Sequence, residues 1–140
     1  MSVQTIKLLI ANDCDQLATY LQRHLLMEFN NEISVEIAMN KEMAIRILRE
    51  NGPFDLVVAD LCMPEEKDGL DLLSLIRTGA TESTPNGTNR DVPIGLVTGL
   101  GDYAAALVEG FGLSFILHSP FMPSEFTRCI RTFPQFSRQQ

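Results

Sequence analysis

No stretch of this sequence approaches the roughly 20 consecutive apolar residues that a membrane-spanning helix needs, so a helical integral membrane protein is excluded. Basic residues are scarce: 11 Lys and Arg stand against 18 Asp and Glu, a formal net charge of −7. Nucleic-acid phosphates are held by clustered Lys and Arg, so no direct contact with nucleic acid is expected. Cysteine is scarce as well. Cys14, Cys62 and Cys129 are odd in number and lack metal-ligand spacing, which argues against a disulfide framework and for a reducing compartment. Residues 1–7 lead straight into a strand pattern without a signal-peptide or lipidation motif, so a cytoplasmic protein with no membrane attachment is expected.

What is present is an alternation of short apolar runs and helical patterns. Thr5 to Ala11 is a buried strand ending at Asn12-Asp13, and Leu17, Tyr20, Leu21 and Leu25 recur at helical spacing after it. Ile33, Val35 and Ile37 alternate with Ser34, Glu36 and Ala38, the signature of a half-exposed edge strand. Asn40 caps a second helix that Asn51-Gly52-Pro53 stop. The run Leu56 to Asp60 is a strand covered on both faces, followed by a loop through Pro64 and a third helix from about Gly69 to Thr78. Pro93 to Thr98 is a fourth strand, and Tyr103, Ala106, Leu107 and Gly110 outline a short fourth helix. Leu113 to His118 is a fifth strand, and Pro123 opens a fifth helix with Phe126, Cys129, Ile130 and Phe133 inward.

Strands that alternate with helices make an α/β fold around a parallel sheet. Right-handed crossovers and the edge character of the second strand favour the order 2-1-3-4-5, a doubly wound sheet. One domain is expected over residues 1–140, with its core from about residue 5 to residue 133. The segment 79–91 has almost nothing to bury and is expected to be a mobile loop, and the tail 134–140 to fray.

In that strand order Asn12, Asp13, Asp60, Thr98 and Ser119 all fall on one rim, the carboxyl ends of the strands, where open α/β sheets bind ligands. Two carboxylates meeting there, Asp13 and Asp60, would repel unless a cation joins them, and oxygen donors with room for water suit Mg²⁺ better than zinc. A metal-bound aspartate is a possible nucleophile toward phosphorus. Thr98 can hydrogen-bond a phosphoryl oxygen, and Gly99 leaves space beside it. These parts describe phosphoryl acceptance, in which positioning and charge neutralisation do most of the work.

The chain resembles a bacterial response-regulator receiver domain from about Ile6 to Phe133, a flavodoxin-like single domain with five helices. The resemblance is carried by Leu9-Ile10-Ala11-Asn12-Asp13, by Asp60-Leu61-Cys62-Met63-Pro64 with Gly69, by Pro93-Ile94 through Val97-Thr98-Gly99, and by Ser119-Pro120-Phe121. It implies that Asp60 is the phosphoacceptor and that Asp13 ligates Mg²⁺ directly, with the backbone carbonyl of Cys62 as a third protein ligand and Asn12 a weaker one through water. Thr98 would be the switch hydroxyl. The implied partners are a histidine kinase or phosphotransfer protein and a downstream protein on the face formed by the fourth helix, fifth strand and fifth helix. The implied role is signalling, not enzymatic turnover.

Four departures from the family pattern bear on function. Asn12 stands at the first acidic position, Ser119 at the lysine, and Ile116 at the aromatic three residues before it; Phe115 is one place off and should face the other way. The loop after Asp60 reaches its glycine one residue late. Losing one acid and the one base leaves the formal charge of the site unchanged, so what is lost is geometry. Weakened coupling between phosphorylation and conformation is therefore expected, with a phosphorylation-independent interaction module as the alternative. Cys62 and Leu100 orient water poorly, which implies a slowly decaying phosphate.

Overall fold

The computed structural model describes residues 6–30, 32–61, 68–82, 89–99, 108–133 and 136. Within them, five parallel strands, β1 (Ile6–Ala11), β2 (Ile33–Ala38), β3 (Leu56–Ala59), β4 (Ile94–Thr98) and β5 (Phe115–His118), form one sheet in the order β2-β1-β3-β4-β5. The helices are α1 (Asp15–Glu28), α2 (Lys41–Asn51), α3 (Asp68–Arg77) and α4 (Pro123–Ile130), the last being the fifth helix of the sequence pattern. Most of the expected fourth helix, including Tyr103, Ala106 and Leu107, lies outside the described residues, and Val108 to Gly110 form a turn. No helix among the described residues is long and apolar enough to cross a membrane.

The strand chemistry explains the order. Every residue of β3 and β4 is buried, as central strands covered on both faces must be, whereas β2 alternates and sits at an edge. The fifth strand begins at Phe115, two residues later than its apolar run suggests, and forms the other edge. Leu9, Val57, Ile94 and Leu96 point to a core shared with α2 and α3. Leu8, Ile10, Val58 and Val97 point to the opposite core, shared with α1 and α4. Local signals close the helices. The Asn40 side chain accepts the Met43 N–H at 2.8 Å, and Asn30 takes a left-handed φ of 55° just past α1.

Two polar residues fasten the end of the sheet remote from Asp60. Asn89 is fully buried; its Nδ2 donates to the carbonyls of Leu48 (2.9 Å) and Thr81 (2.8 Å), and its Oδ1 accepts from the Phe54 N–H (3.1 Å). It thus joins the end of α2, the approach to β3 and the exit from α3. Arg77 at the end of α3 donates to the carbonyls of Phe111, Arg90 and Val92 at 2.7–2.8 Å. The segment 79–91 therefore departs from the expectation that it has almost nothing to bury: Thr81 and Asn89 are both at 0% exposure. Residues 83–88 between them lie outside the described set. The core also reaches past Phe133. Phe136 is fully buried with its ring 5.9 Å from that of Phe29, so the tail is anchored at that residue instead of fraying throughout.

Phe115 and Ile116 do face opposite ways, Ile116 onto the α2–α3 core and Phe115 onto the α1–α4 core. Phe115 is the register partner of Gly95 on β4, and its ring occupies the space a side chain there would need. A Cβ on Gly95 would lie 2.0–2.5 Å from the ring carbons. An aromatic ring laid over a strand glycine covers backbone that would otherwise be bare.

Two outcomes follow for stability, both measurable by urea unfolding. Asn89→Ala removes hydrogen bonds from the Phe54 N–H, Thr81 O and Leu48 O, of which Leu48 O keeps its bond from the Gly52 N–H, and should cost about 2–3 kcal/mol, whereas Thr81→Val should be neutral or stabilising by about 1 kcal/mol, because the Thr81 hydroxyl is buried with no partner among the described residues. Gly95→Ala should cost about 1–3 kcal/mol by overpacking, and Gly95→Ala/Phe115→Leu should lose less than the sum of the single variants.

Candidate functional site

The rim at the carboxyl ends of β1, β3, β4 and β5 gathers the residues expected there. The ladder runs on beyond the strands themselves. The Asn12 N–H donates to Ala38 O (2.9 Å), Asp60 N–H to Ala11 O (3.0 Å) and Ser119 N–H to Thr98 O (2.8 Å). Because Ala11 pairs with Ala59, Asn12 and Asp60 leave adjacent strands side by side, with Asp13 one residue further out. Asp60 is half-buried, Asp13 exposed, Asn12 and Thr98 buried, and Ser119 exposed. Cys62, whose backbone carbonyl is the expected third ligand, lies outside the described residues, as does Leu100.

The Asp60 turn is held by a close backbone approach. Gly69, at the start of α3, donates its N–H to Leu61 O at 2.8 Å, and a Cβ there would stand 2.3 Å from the Asp60 carbonyl oxygen and from the Leu61 Cα. Glycine is the residue that fits. The start of α3 is tied in turn to α2 through Lys41, 3.3 Å from Asp71 and 3.8 Å from Asp68. The hydrogen bond to Asp71 and both carboxylates hold the Lys41 ammonium above its ordinary pKa.

Asn12 has a structural task that its position alone does not reveal. Its Oδ1 accepts the Cys14 N–H at 2.8 Å, an Asx turn leading into α1. Asp13 and Asp60 remain as the carboxylates of the rim, and hard oxygen donors of this kind fit Mg²⁺. Among the described residues no three His, Cys, Asp or Glu side chains converge as a cation site.

The remaining candidates resolve simply. His24 is satisfied by Thr127, with 2.8 Å between its Nε2 and the hydroxyl oxygen. His118 is exposed beside Thr98, its register partner. Cys14 is exposed, and burial pushes the Cys129 thiol above its ordinary pKa, which disfavours the thiolate.

Comparison with known proteins agrees with this arrangement. The non-phosphorylated HemR receiver domain of Leptospira biflexa is 25% identical, with 91% of this chain and 93% of that one covered at a TM-score of 0.74. A CheY-like receiver domain protein from Methanospirillum hungatei shares 18% identity over 97% of both chains, at a TM-score of 0.73. The chemotaxis response regulator CheY4 of Vibrio cholerae shares 18% identity over 92% of this chain and 98% of its own, at a TM-score of 0.74. No curated protein matches significantly. The response regulator receiver domain model matches residues 8–130, and with the strand order and rim described above, the chain belongs to that family of two-component signalling domains.

Proposed function

We propose that this domain accepts a phosphoryl group on Asp60 from a histidine kinase or a phosphotransfer protein. The observation that carries the reading is the position of Asp60. It stands half-buried at the carboxyl end of the central strand β3, beside Asn12-Asp13 on one flank and Thr98 at the end of β4 on the other. In the transfer a carboxylate oxygen of Asp60 forms the new O–P bond while the donor's P–N bond breaks, and the imidazole nitrogen keeps the bonding electrons. Asp13 and Asp60 would hold Mg²⁺, with the Cys62 carbonyl and Asn12 completing its surroundings; when bound, the ion neutralises charge on the phosphoryl oxygens. The Thr98 hydroxyl then accepts the role of sensing the modified Asp60. The reading places the domain in the cytoplasm and treats residues 1–140 as one signalling unit.

The same rim supports weakened coupling. With Ser119 at the lysine position, a phosphoryl group lacks a charge-assisted contact that would be worth roughly 1.5–3 kcal/mol. With Ile116 on the α2–α3 side and Phe115 lodged over Gly95, β5 has no aromatic ring free to follow Thr98. A ligand shifts a conformational equilibrium only by its differential contacts, so the modified state gains less than a fully equipped site would give. A second reading, a phosphorylation-independent interaction module, is favoured by Asn12, whose amide oxygen is already engaged by Cys14.

Incubation with Mg²⁺ and acetyl phosphate, followed by intact mass, decides between these readings. One retained phosphoryl group, lost in Asp60→Asn, is expected. An unchanged mass would support the interaction module, and consumption of the donor without retained phosphate would indicate an enzyme. The retained group should persist for hours, because Cys62 and Leu100 orient water poorly; decay within seconds would contradict this.

Coupling has its own measurement. Beryllofluoride should alter amide hydrogen exchange in β4 and β5 only slightly in this chain and substantially in Asn12→Asp/Ser119→Lys/Ile116→Tyr. A large response in the unmodified chain would refute weak coupling.

A further inference from the structure

A groove of about 280 Å³ runs between α1 and α4, lined by His24, Glu28, Ser124, Thr127, Arg128 and Arg131. Ser124, Thr127 and Arg128 of α4 and Arg131 just past its end recur at helical spacing, and His24 and Glu28 are one turn apart on α1. Two arginines therefore face one glutamate in a chain whose net charge is −7. This local sign is opposite to that of the molecule as a whole.

The groove is preformed. The Thr127 hydroxyl donates to Pro123 O (3.2 Å), so His24 Nε2 is the donor in its 2.8 Å bond to Thr127 Oγ1, and the two helices are joined at the groove floor. The Arg131 guanidinium lies 4.6 Å over the Phe29 ring, donates to Glu28 O at 3.3 Å and stands 3.6 Å from the Glu28 carboxylate. Its rotamers are already restricted before anything binds, and planar guanidinium presents its free N–H groups in a fixed fork. Arg128, one turn earlier, is exposed and has no hydrogen bond or ion pair among the described residues. On α1, Met27 stands three residues after His24 and is 75% exposed.

The geometry points to a docking site for an acidic, amphipathic segment of a partner protein: carboxylates on Arg128 and Arg131, with an apolar residue on Met27. Charge selects this occupant. A second copy meeting the same face would bring its two arginines against these two. A lone small anion would use the arginines and leave Met27 uncovered. None of the residues lining the groove belongs to the Asp60 rim; the groove shares α4 with the face expected to meet a downstream protein, on the side of that helix turned toward α1.

The test is an amide-shift titration of the intact chain with a helical peptide bearing glutamates four residues apart and a leucine on the same face. Shifts confined to residues around His24, Glu28 and Ser124–Arg131 are expected, weakening with added salt. Affinity should fall at least tenfold in Arg128→Glu and less in Arg128→Gln, both changes at an exposed position that leave the Arg131–Phe29 stack in place. Binding should survive in Asp60→Asn, which separates this site from the phosphorylation reading. The proposal is overturned if the peptide causes no shifts at millimolar concentration, or if Arg128→Glu binds as well as the parent chain. It is overturned equally if inorganic phosphate produces the same shifts at the same concentration, or if the shifts arise from self-association of the chain without peptide.

Discussion

Everything at the rim depends on the parallel pairing of β1 with β3. That pairing, Leu8 with Leu56 through Ala11 with Ala59, is where the chain reverses the direction in which it adds strands, and helices leave the sheet on opposite faces there. The bond from the Asp60 N–H to Ala11 O extends the pairing by one step, and Gly69 then seals the turn from the other side. A carboxylate in this place has backbone fixed before and after it. Main-chain hydrogen bonds that do not involve the side chains of Asn12 or Ser119 fix the backbone on both sides of it.

The altered neighbours of Asp60 share a physical theme: each is engaged with its own part of the fold. Asn12 holds the entry to α1 through Cys14. The aromatic ring of β5 sits one residue early and spends its surface covering Gly95. Ser119 carries no charge, and its main-chain N–H is engaged by Thr98 O. The result is a rim with the receiver's framework and a different set of side chains around Asp60.

Much of this was legible in the sequence because it rests on local or periodic signals. Solid apolar runs identify β3 and β4 as interior, alternation identifies β2 as an edge, Asn40 reads as a cap, and the opposed facing of Phe115 and Ile116 follows from the pleat. What was not legible depends on partners remote in the chain. Asn89 sits among turn-forming residues and reads as solvated loop, yet its bonds reach Leu48 and Phe54. Phe136 is surrounded by polar residues and packs on Phe29 from the far end of the chain. Gly95, a glycine inside a strand, was the one available hint of a close approach, and its partner Phe115 could be found only through register. Asn12 reveals its chemistry as an amide but not that its oxygen is already taken.

The Asn89 clamp also separates chain length from architecture. Its backbone N–H bonds the Glu82 carboxylate at 2.8 Å while its side chain holds Thr81, so the two ends of the intervening segment are tied to each other and to α2. Loop-closure entropy grows only slowly with length once the ends are fixed. The connection between Glu82 and Asn89 is thus a graft point: foreign sequence placed there leaves the pairing of β3 with β4 undisturbed and lies at the opposite end of the sheet from Asp60.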